Sequence, residues 1–484
     1  MINGKQYIAR INALKPNVWF RGERITSKLS EHVAFKGLLR SQAKLYDLQC
    51  DPDYQELFSW PSDTTGHAIG TTYLAPKTPA DLEKRRKAIQ EWAKLSLGML
   101  GRSPDYMNTT IMALGTSADI LKEDAPQRAE NMRNYYEYVR ENDLSLTHTF
   151  ILPQVNRSQF YLEDQDAPVI AARVIDENSH GIIVHGARLL ATQGVTTDEL
   201  LVFPSGARLP QMKTAEPMAY AFAIPTNTEG VTYYCRDSFV GGDSHYDHPL
   251  SSRFEEMDTI VVFDHVLVPW ERVFLYGSIT ANNRLYPESG FFSQTTHVVI
   301  SKNIVKIESL LGIMKQMIQS INISEYQHIH EKVSEVVVGL EVMKGLIYAS
   351  EKEAQLNRWG ILTPNANPLQ AGILYYTKLY PRMIEIIKLI GASGLVSIPT
   401  ESDFQSQAGT DLRHYLQSST QNGEEKVRLF RLAWDVSLSA FGGRQELYER
   451  FFFGDPVRLA SQLFRSYETS DLEARITAFL HDKA

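Results

Sequence analysis

Cysteine is nearly absent from these 484 residues, with only Cys50 and Cys235 present. Two thiols so far apart supply neither a disulfide framework nor a thiolate metal site, and a reducing cytoplasm is the expected compartment. Basic surplus is missing as well. Acidic residues (57) outnumber Lys and Arg (49), giving a formal net charge of −8, whereas a nucleic-acid binder needs clustered cations to displace counterions from phosphates. The densest basic run, Lys84 to Lys87, lies in a stretch of mixed charge and reads as a solvated helix face. No apolar run approaches the roughly 18 residues that span a bilayer, and residues 1–15 lack the apolar core of a signal peptide. Neither nucleic acid nor membrane is an expected partner, and 29 Gly with 21 Pro are too few for a disordered or fibrous chain.

Several catalytic fingerprints are absent too. No Gly-x-Gly-x-x-Gly follows a strand pattern, and there is no Gly-x-x-x-x-Gly-Lys-Ser/Thr, Gly-x-Ser-x-Gly or His-Glu-x-x-His. Rossmann nucleotide binding, P-loop hydrolysis, the serine-hydrolase elbow and the commonest zinc-protease site are thereby set aside. His245, Asp247 and His248 share a Gly- and Asp-rich loop but lack a clear further ligand, so local hydrogen bonding is expected there and no metal. His328 and His330, two apart, point to different sides of a helix.

What is present is a change of hydrophobic period along the chain. Residues 30–142 are mainly helical in pattern, broken at Pro61, Pro76 and Pro104. Short β-type runs separated by turn residues follow at 169–175, 181–190, 200–203, 220–224, 231–235 and 259–268, spacing that suits a compact barrel or sandwich. Beyond Phe291 the pattern is helical again: Val333, Val336, Val337, Leu340, Met343 and Ile347 recur at three-to-four spacing, with similar stripes at 304–317, 384–390 and 427–436. Such stripes bury each other in a bundle. The expected class is α+β, with a helical region over 1–145, a β region over 146–275 and a helical bundle over 276–484. That order resembles the acyl-CoA dehydrogenase type of flavoprotein, although architecture alone assigns no chemistry.

Two segments carry candidate chemistry. In Gly101-Arg102-Ser103-Pro104-Asp105-Tyr106-Met107-Asn108, Pro104 disfavours helix at Ser103 and suits the first turn of a following helix. Arg102 then lies on a loop and Tyr106 on that first turn, close enough to converge on one ligand; an Arg that merely staples the loop fits these residues equally well. The second segment, residues 146–157, concentrates His148, Thr149, Gln154, Asn156 and Arg157, a useful donor set for carbonyl and phosphate oxygens.

Together with Ala191-Thr192, Val202-Phe203-Pro204-Ser205, residues 264–272, residues 441–450 and Gly454-Asp455-Pro456-Val457, these segments resemble the 4-hydroxyphenylacetate 3-monooxygenase oxygenase family over nearly the whole chain. The resemblance implies the oxygenase component of a two-component monooxygenase that hydroxylates a phenol ortho to its hydroxyl. It would use FADH2 from a separate NAD(P)H:flavin reductase, and O2, by way of a flavin hydroperoxide. It also implies a homotetramer, in which Gly391-Ala392-Ser393-Gly394 is either a close contact or a simple helix-end loop. Arg102, Tyr106 and His148 would bind the phenol and serve catalysis, and Ser205 and Gly206 would meet the substrate's far end. FAD would be held by His148, Thr149, Phe150, Gln154, Val155, Asn156, Arg157, Thr192, Gly454, Asp455, Pro456 and Val457. The family often has a hydroxyl residue where Gly206 stands.

The residue types suit that chemistry. A phenol has a pKa of about 10, and a cation such as Arg102 that favours its ionised form enriches the ortho carbon in electrons. His148 is the expected base, titrating near neutrality. Tyr106 would hydrogen-bond the same oxygen, and residues 205–210 are the expected lid. Two other enzymes of this architecture are less well served: an iron–sulfur dehydratase acting on 4-hydroxybutyryl-CoA needs cysteine ligands, and an acyl-CoA dehydrogenase needs a marked Glu base. A non-catalytic flavin-binding protein is the remaining alternative.

Overall fold

The computed structural model describes residues 1–122, 125–153, 169–204, 206 and 208–482. Helices come first, two sheets occupy the middle and helices return to the C-terminus.

The middle sheets form a sandwich. One has six strands: Glu23–Arg24, Asn17–Phe20, Val231–Cys235, Asp258–Pro269, Gly181–Thr192 and Arg173–Glu177, in spatial order. The other has four: Val273–Tyr276, Tyr220–Pro225, Glu199–Val202 and Leu146–Thr149. Alternation explains the pairing. In Gly181–Thr192 the residues Ile182, Val184 and Arg188 point inward while Ile183, His185, Ala187 and Leu189 are partly exposed. Ile182, Val184, Val261 and Phe263 of the first sheet pack against Leu200, Val202, Phe222 and Val273 of the second in one apolar core.

Residues 1–24 depart from the helical reading. After the helix Gly4–Leu14, the strand Asn17–Phe20 runs parallel to Val231–Cys235, with Asn17 opposite Thr232. Val18 and Phe20 enter the sandwich core while Asn17 and Trp19 stay half-exposed. Four residues of period two are too short a signal to stand out among helical neighbours.

The C-terminal bundle is built on Phe291–Ser320, Gln327–Lys352, Ala366–Gly391 and Gly423–Ser437. Its central helix, Phe291–Ser320, also packs on Pro79–Leu95 and Pro104–Thr116, so one core joins the N-terminal helices to the bundle. This helix buries polar residues from its N-terminal end to its middle, among them Gln294, His297, Lys302 and Lys306. Lys302 and Lys306 share the buried carboxylate of Glu449 at 2.9 and 2.8 Å. Among the described residues no helix is long and apolar enough to cross a membrane.

Candidate active site

Pro104 is the first residue of the helix Pro104–Thr116, which leaves Arg102 on the preceding turn and Tyr106 in the first helical turn. The turn is clamped through its backbone. Glu256, fully buried, accepts from the Gly101 N–H at 3.0 Å and the Arg102 N–H at 2.7 Å. The Arg102 carbonyl accepts from Gln193 Nε2 at 3.1 Å and Gln42 Nε2 at 3.3 Å. The Tyr448 hydroxyl donates to the Gly101 carbonyl at 3.0 Å. Position 101 needs glycine, because a Cβ there would fall 2.5 Å from the Tyr448 ring.

The Arg102 side chain is free of this clamp. Its guanidinium lies 4.9 Å over the Tyr106 ring and 4.6 Å over Phe452, a cation held against two π faces. Nη2 is 3.4 Å from His148 Nε2, and Nη1 is buried without a hydrogen-bond partner among the described residues. His148 reaches this point from the strand Leu146–Thr149, which pairs parallel with Glu199–Val202. Its ring stacks on Phe150 at 4.5 Å and 11°, and its Nδ1 is 2.8 Å from Met107 Sδ. The Tyr106 and His148 ring centroids are 6.0 Å apart. Arg102, Tyr106, His148 and Phe150 therefore converge.

Electrostatics change one expectation. Burial, and then the adjacent Arg102 cation, push the His148 pKa well below its ordinary value. The imidazole is thus neutral across the physiological range rather than titrating near neutrality. Burial also raises the Tyr106 pKa, against the opposing pull of Arg102 and Thr295. Asp105, buried beside Tyr106, is pushed up to about 6 by desolvation, although Ser103 and the Tyr106 N–H both donate to its Oδ1.

The other expected residues are spread around this cluster. The Thr149 hydroxyl donates to Leu189 O at 2.8 Å, and the Phe150 carbonyl accepts from Arg188 Nη1 at 3.3 Å. The Thr192 hydroxyl donates to Asp258 Oδ1 at 2.7 Å. Burial raises the Asp258 pKa, but Arg444, with two bonds of 2.7 Å, and Arg236 outweigh it and hold the carboxyl well below the usual range. Gly454, Asp455, Pro456 and Val457 follow Phe452 and Phe453, and Asp455 caps the helix Pro456–Ser466 by accepting from the Val457 N–H. Val457 is 78 % exposed.

Gln154, Val155, Asn156, Arg157 and Ser205 lie outside the described residues. Gly206 is exposed, with open space where a Cβ would stand. In the expected lid, Leu209 is tied to Asn283 by two bonds of 2.9 Å, so that end is anchored. In the histidine loop, His245 Nδ1 is 2.8 Å from Ser252 Oγ, Asp247 Oδ1 accepts from the Glu401 N–H, and the His248 ring tilts against Trp434. Each has a local partner.

With this geometry in hand, two family models account for almost all of the chain: 4-hydroxyphenylacetate 3-hydroxylase N terminal over residues 3–275 and C terminal over residues 282–481. The chain belongs to the 4-hydroxyphenylacetate 3-hydroxylase family. It is 49% identical to a probable 4-hydroxyphenylacetate 3-monooxygenase of Bacillus subtilis (strain 168), across 99% of both chains. It is 44% identical to the crystallised oxygenase component of 4-hydroxyphenylacetate 3-monooxygenase complexed with FAD and 4-hydroxyphenylacetate, with a TM-score of 0.93 and coverage of 99% of this chain and 98% of that one. Butyryl-CoA dehydrogenase from Megasphaera elsdenii, 14% identical with a TM-score of 0.50 over 95% of this chain and 96% of that one, shares the fold alone.

Arg102, Tyr106 and His148 were singled out from the sequence together with the later motifs, but several of their neighbours were not. Glu256 and Gln193 support the turn, and Phe452 packs edge-on against the Tyr106 ring at 5.2 Å; Tyr286 donates to the Pro204 carbonyl at 3.0 Å, beside the expected lid. Only the two adjacent acids Glu255 and Glu256 ahead of a strand, and Gln193 directly after Thr192, hint at such roles in the sequence.

Proposed function

We propose that this chain is the oxygenase component of a two-component monooxygenase that converts 4-hydroxyphenylacetate, or a phenol of the same class, to the catechol. It draws reduced FAD from a separate reductase and takes O2 as co-substrate. The supporting observation is the convergence of Arg102, Tyr106 and His148 around a half-buried guanidinium whose buried Nη1 has no partner among the described residues. A buried, unpaired charged donor is costly unless a ligand oxygen completes it, so the residues fit a phenol beside a flavin. His148, Thr149, Phe150 and Thr192 would hold the flavin there, and reduced FAD with O2 would supply the electrophilic oxygen.

The chain's own part is to prepare the ring. The phenol oxygen meets the Arg102 guanidinium and the Tyr106 hydroxyl, and the positive charge favours the phenolate by about 1–3 pKa units. His148 Nε2, already neutral, accepts the phenol proton; the phenolate left beside it offsets the repulsion from Arg102. Phe150 against His148 and Phe452 against Tyr106 exclude water that would otherwise hydrate the reacting centre. Over the whole reaction one oxygen of O2 would enter the ring and the other would leave as water, with FADH2 supplying the two electrons; the chain's part is for His148 to carry a proton back to a ring oxygen as the ortho carbon gives one up on rearomatisation.

Reconstitution tests the reading. Purified protein with chemically reduced FAD, O2 and 4-hydroxyphenylacetate should yield a product one oxygen heavier by mass spectrometry, and NADH without a reductase should yield none. Absence of any hydroxylated product across a panel of phenols would refute it. A cytoplasmic homotetramer accompanies this reading. Phe464 and Phe479, 86% and 78% exposed on the last two helices, suit burial against another copy, and light scattering at the mass of a single 54.9 kDa chain would overturn it.

A further inference from the structure

The strands Gly181–Thr192 and Asp258–Pro269 are paired over most of their length, but their register shifts between Phe263 and Val266. Phe263 faces Gly186 and Val266 faces Val184, so Asp264 and His265 together oppose the single residue His185. This is a β-bulge, and bulges re-aim side chains. His265 adopts φ +52, a left-handed conformation uncommon outside glycine and asparagine, and the Asp264 N–H is fixed by the Gly230 carbonyl at 3.0 Å.

The bulge gathers three ligand-type side chains. One candidate ligand atom from each of His185, Asp264 and His265 lies within 4.8 Å of the other two. The two imidazole centroids are 4.4 Å apart, and His265 Nδ1 is 2.7 Å from Asp264 Oδ1. His185 Nδ1 is buried and has no hydrogen bond among the described residues; at 3.6 Å, Asp264 Oδ1 is too distant to make one. Asp264 and His265 are exposed, 74% and 64% at the side chain, so both are free to rotate inward.

We propose that His185, Asp264 and His265 form a binding site for a divalent first-row transition ion such as zinc. Two imidazoles and one carboxylate at bonding distances of about 2.0–2.2 Å leave a fourth, tetrahedral position to water. Magnesium and calcium are poor occupants because the site offers too few oxygens. The site is separate from the phenol pocket: the pocket segment meets this strand where Thr149 bonds Leu189, four residues along from His185, about 13 Å. A bound ion would clip the bulge shut across two paired strands and stabilise the sandwich without entering the reaction. Arg173 stands opposite His185 on the next strand and weakens the site by like charge.

Calorimetric titration of chelator-treated protein with zinc chloride tests this. One equivalent should bind and raise Tm, and magnesium should do neither. Cobalt(II) should give the intense visible bands of a tetrahedral site. His185→Gln combined with His265→Asn, the latter chosen because asparagine tolerates the left-handed backbone, should weaken zinc binding at least tenfold and abolish the cobalt bands while leaving hydroxylation unchanged. Arg173→Ala should tighten binding. Absence of zinc binding to the unaltered protein, or equal binding and cobalt spectra in the double variant, would overturn the site.

Discussion

Glu256→Gln should damage catalysis through a residue that need never touch substrate. The carboxylate receives three hydrogen bonds: Gly101 N–H on Oε2, and Arg102 N–H and Gln193 Nε2 on Oε1, the last at 2.8 Å. An amide keeps one oxygen. With that oxygen toward Arg102 and Gln193, the new NH2 group faces the Gly101 N–H, donor against donor, and leaves it buried and unpaired at about 1–3 kcal/mol. The two surviving bonds lose their charge assistance, roughly halving bonds worth about 1.5–3 kcal/mol each. The turn is therefore weakened by about 2.5–6 kcal/mol, and the Arg102 guanidinium is no longer held against Phe452 and His148. Misplacement by about 1 Å costs on the order of 100-fold in rate. The assay measures product and hydrogen peroxide together under reduced FAD and O2, with kcat and KM separated. The expected result is lower kcat, a larger peroxide fraction and a lowered Tm. A variant that lost stability yet kept wild-type kcat and coupling would refute the positioning role, because the structural loss alone would then account for everything.

Arg102→Ala should retain the fold and lose hydroxylation by about 10- to 1000-fold at neutral pH, the range set by a 1–3 unit effect on the phenol, with more peroxide released; hydroxylation at the wild-type rate would remove Arg102 from the mechanism. Asp105→Asn should flatten the stability profile between pH 4 and 6. Its folded pKa, about 6 against 3.8, means the folded state binds the extra proton, so stability is lost as pH rises through that window, by about 3 kcal/mol in all. Asparagine keeps the Oδ1 that accepts from Ser103 and Tyr106. Urea midpoints measured across pH with an unchanged slope in the variant would disprove this.

Helix and strand periods made the order of layers legible, because stripes such as Val336, Leu340, Met343 and Ile347 bury together in the bundle. The turn at Pro104 was legible for a local reason, proline's fixed geometry and missing donor. What the sequence did not carry was long-range. The strand Asn17–Phe20 becomes a strand only by finding Val231–Cys235, more than 200 residues away. Glu256 is 154 residues from Arg102, and no local period encodes that hydrogen bond. The pKa of His148 was misjudged for the same reason, since burial and the nearby guanidinium are tertiary properties.

Arg102 admitted two readings from its segment, a staple for the loop or a charge reserved for a ligand, and the division of labour around it favours the second. An arginine that staples spends its guanidinium on protein acceptors, as Arg236 does on Glu255 and Asp258, and Arg444 on Asp258. In the Arg102 turn that work falls to Glu256, Gln193, Gln42 and Tyr448, all acting on main-chain atoms. The guanidinium forms no ion pair among the described residues and rests on aromatic faces beside a neutral imidazole. Glu256 is engaged with main-chain N–H groups and no carboxylate among the described residues pairs with the guanidinium itself, so an anion arriving there meets a cation not already spent on an ion pair, in surroundings of lowered dielectric. A carboxylate introduced beside it by Phe452→Glu, where the ring now lies 4.6 Å under the guanidinium, should therefore mimic the loss of Arg102 without removing it, and Phe452→Gln is the neutral control: relative to that control the phenol pKa should rise and hydroxylation fall while the turn and its Glu256 clamp persist. Full activity in the glutamate variant would mean that the charge of Arg102 is not what activates the ring.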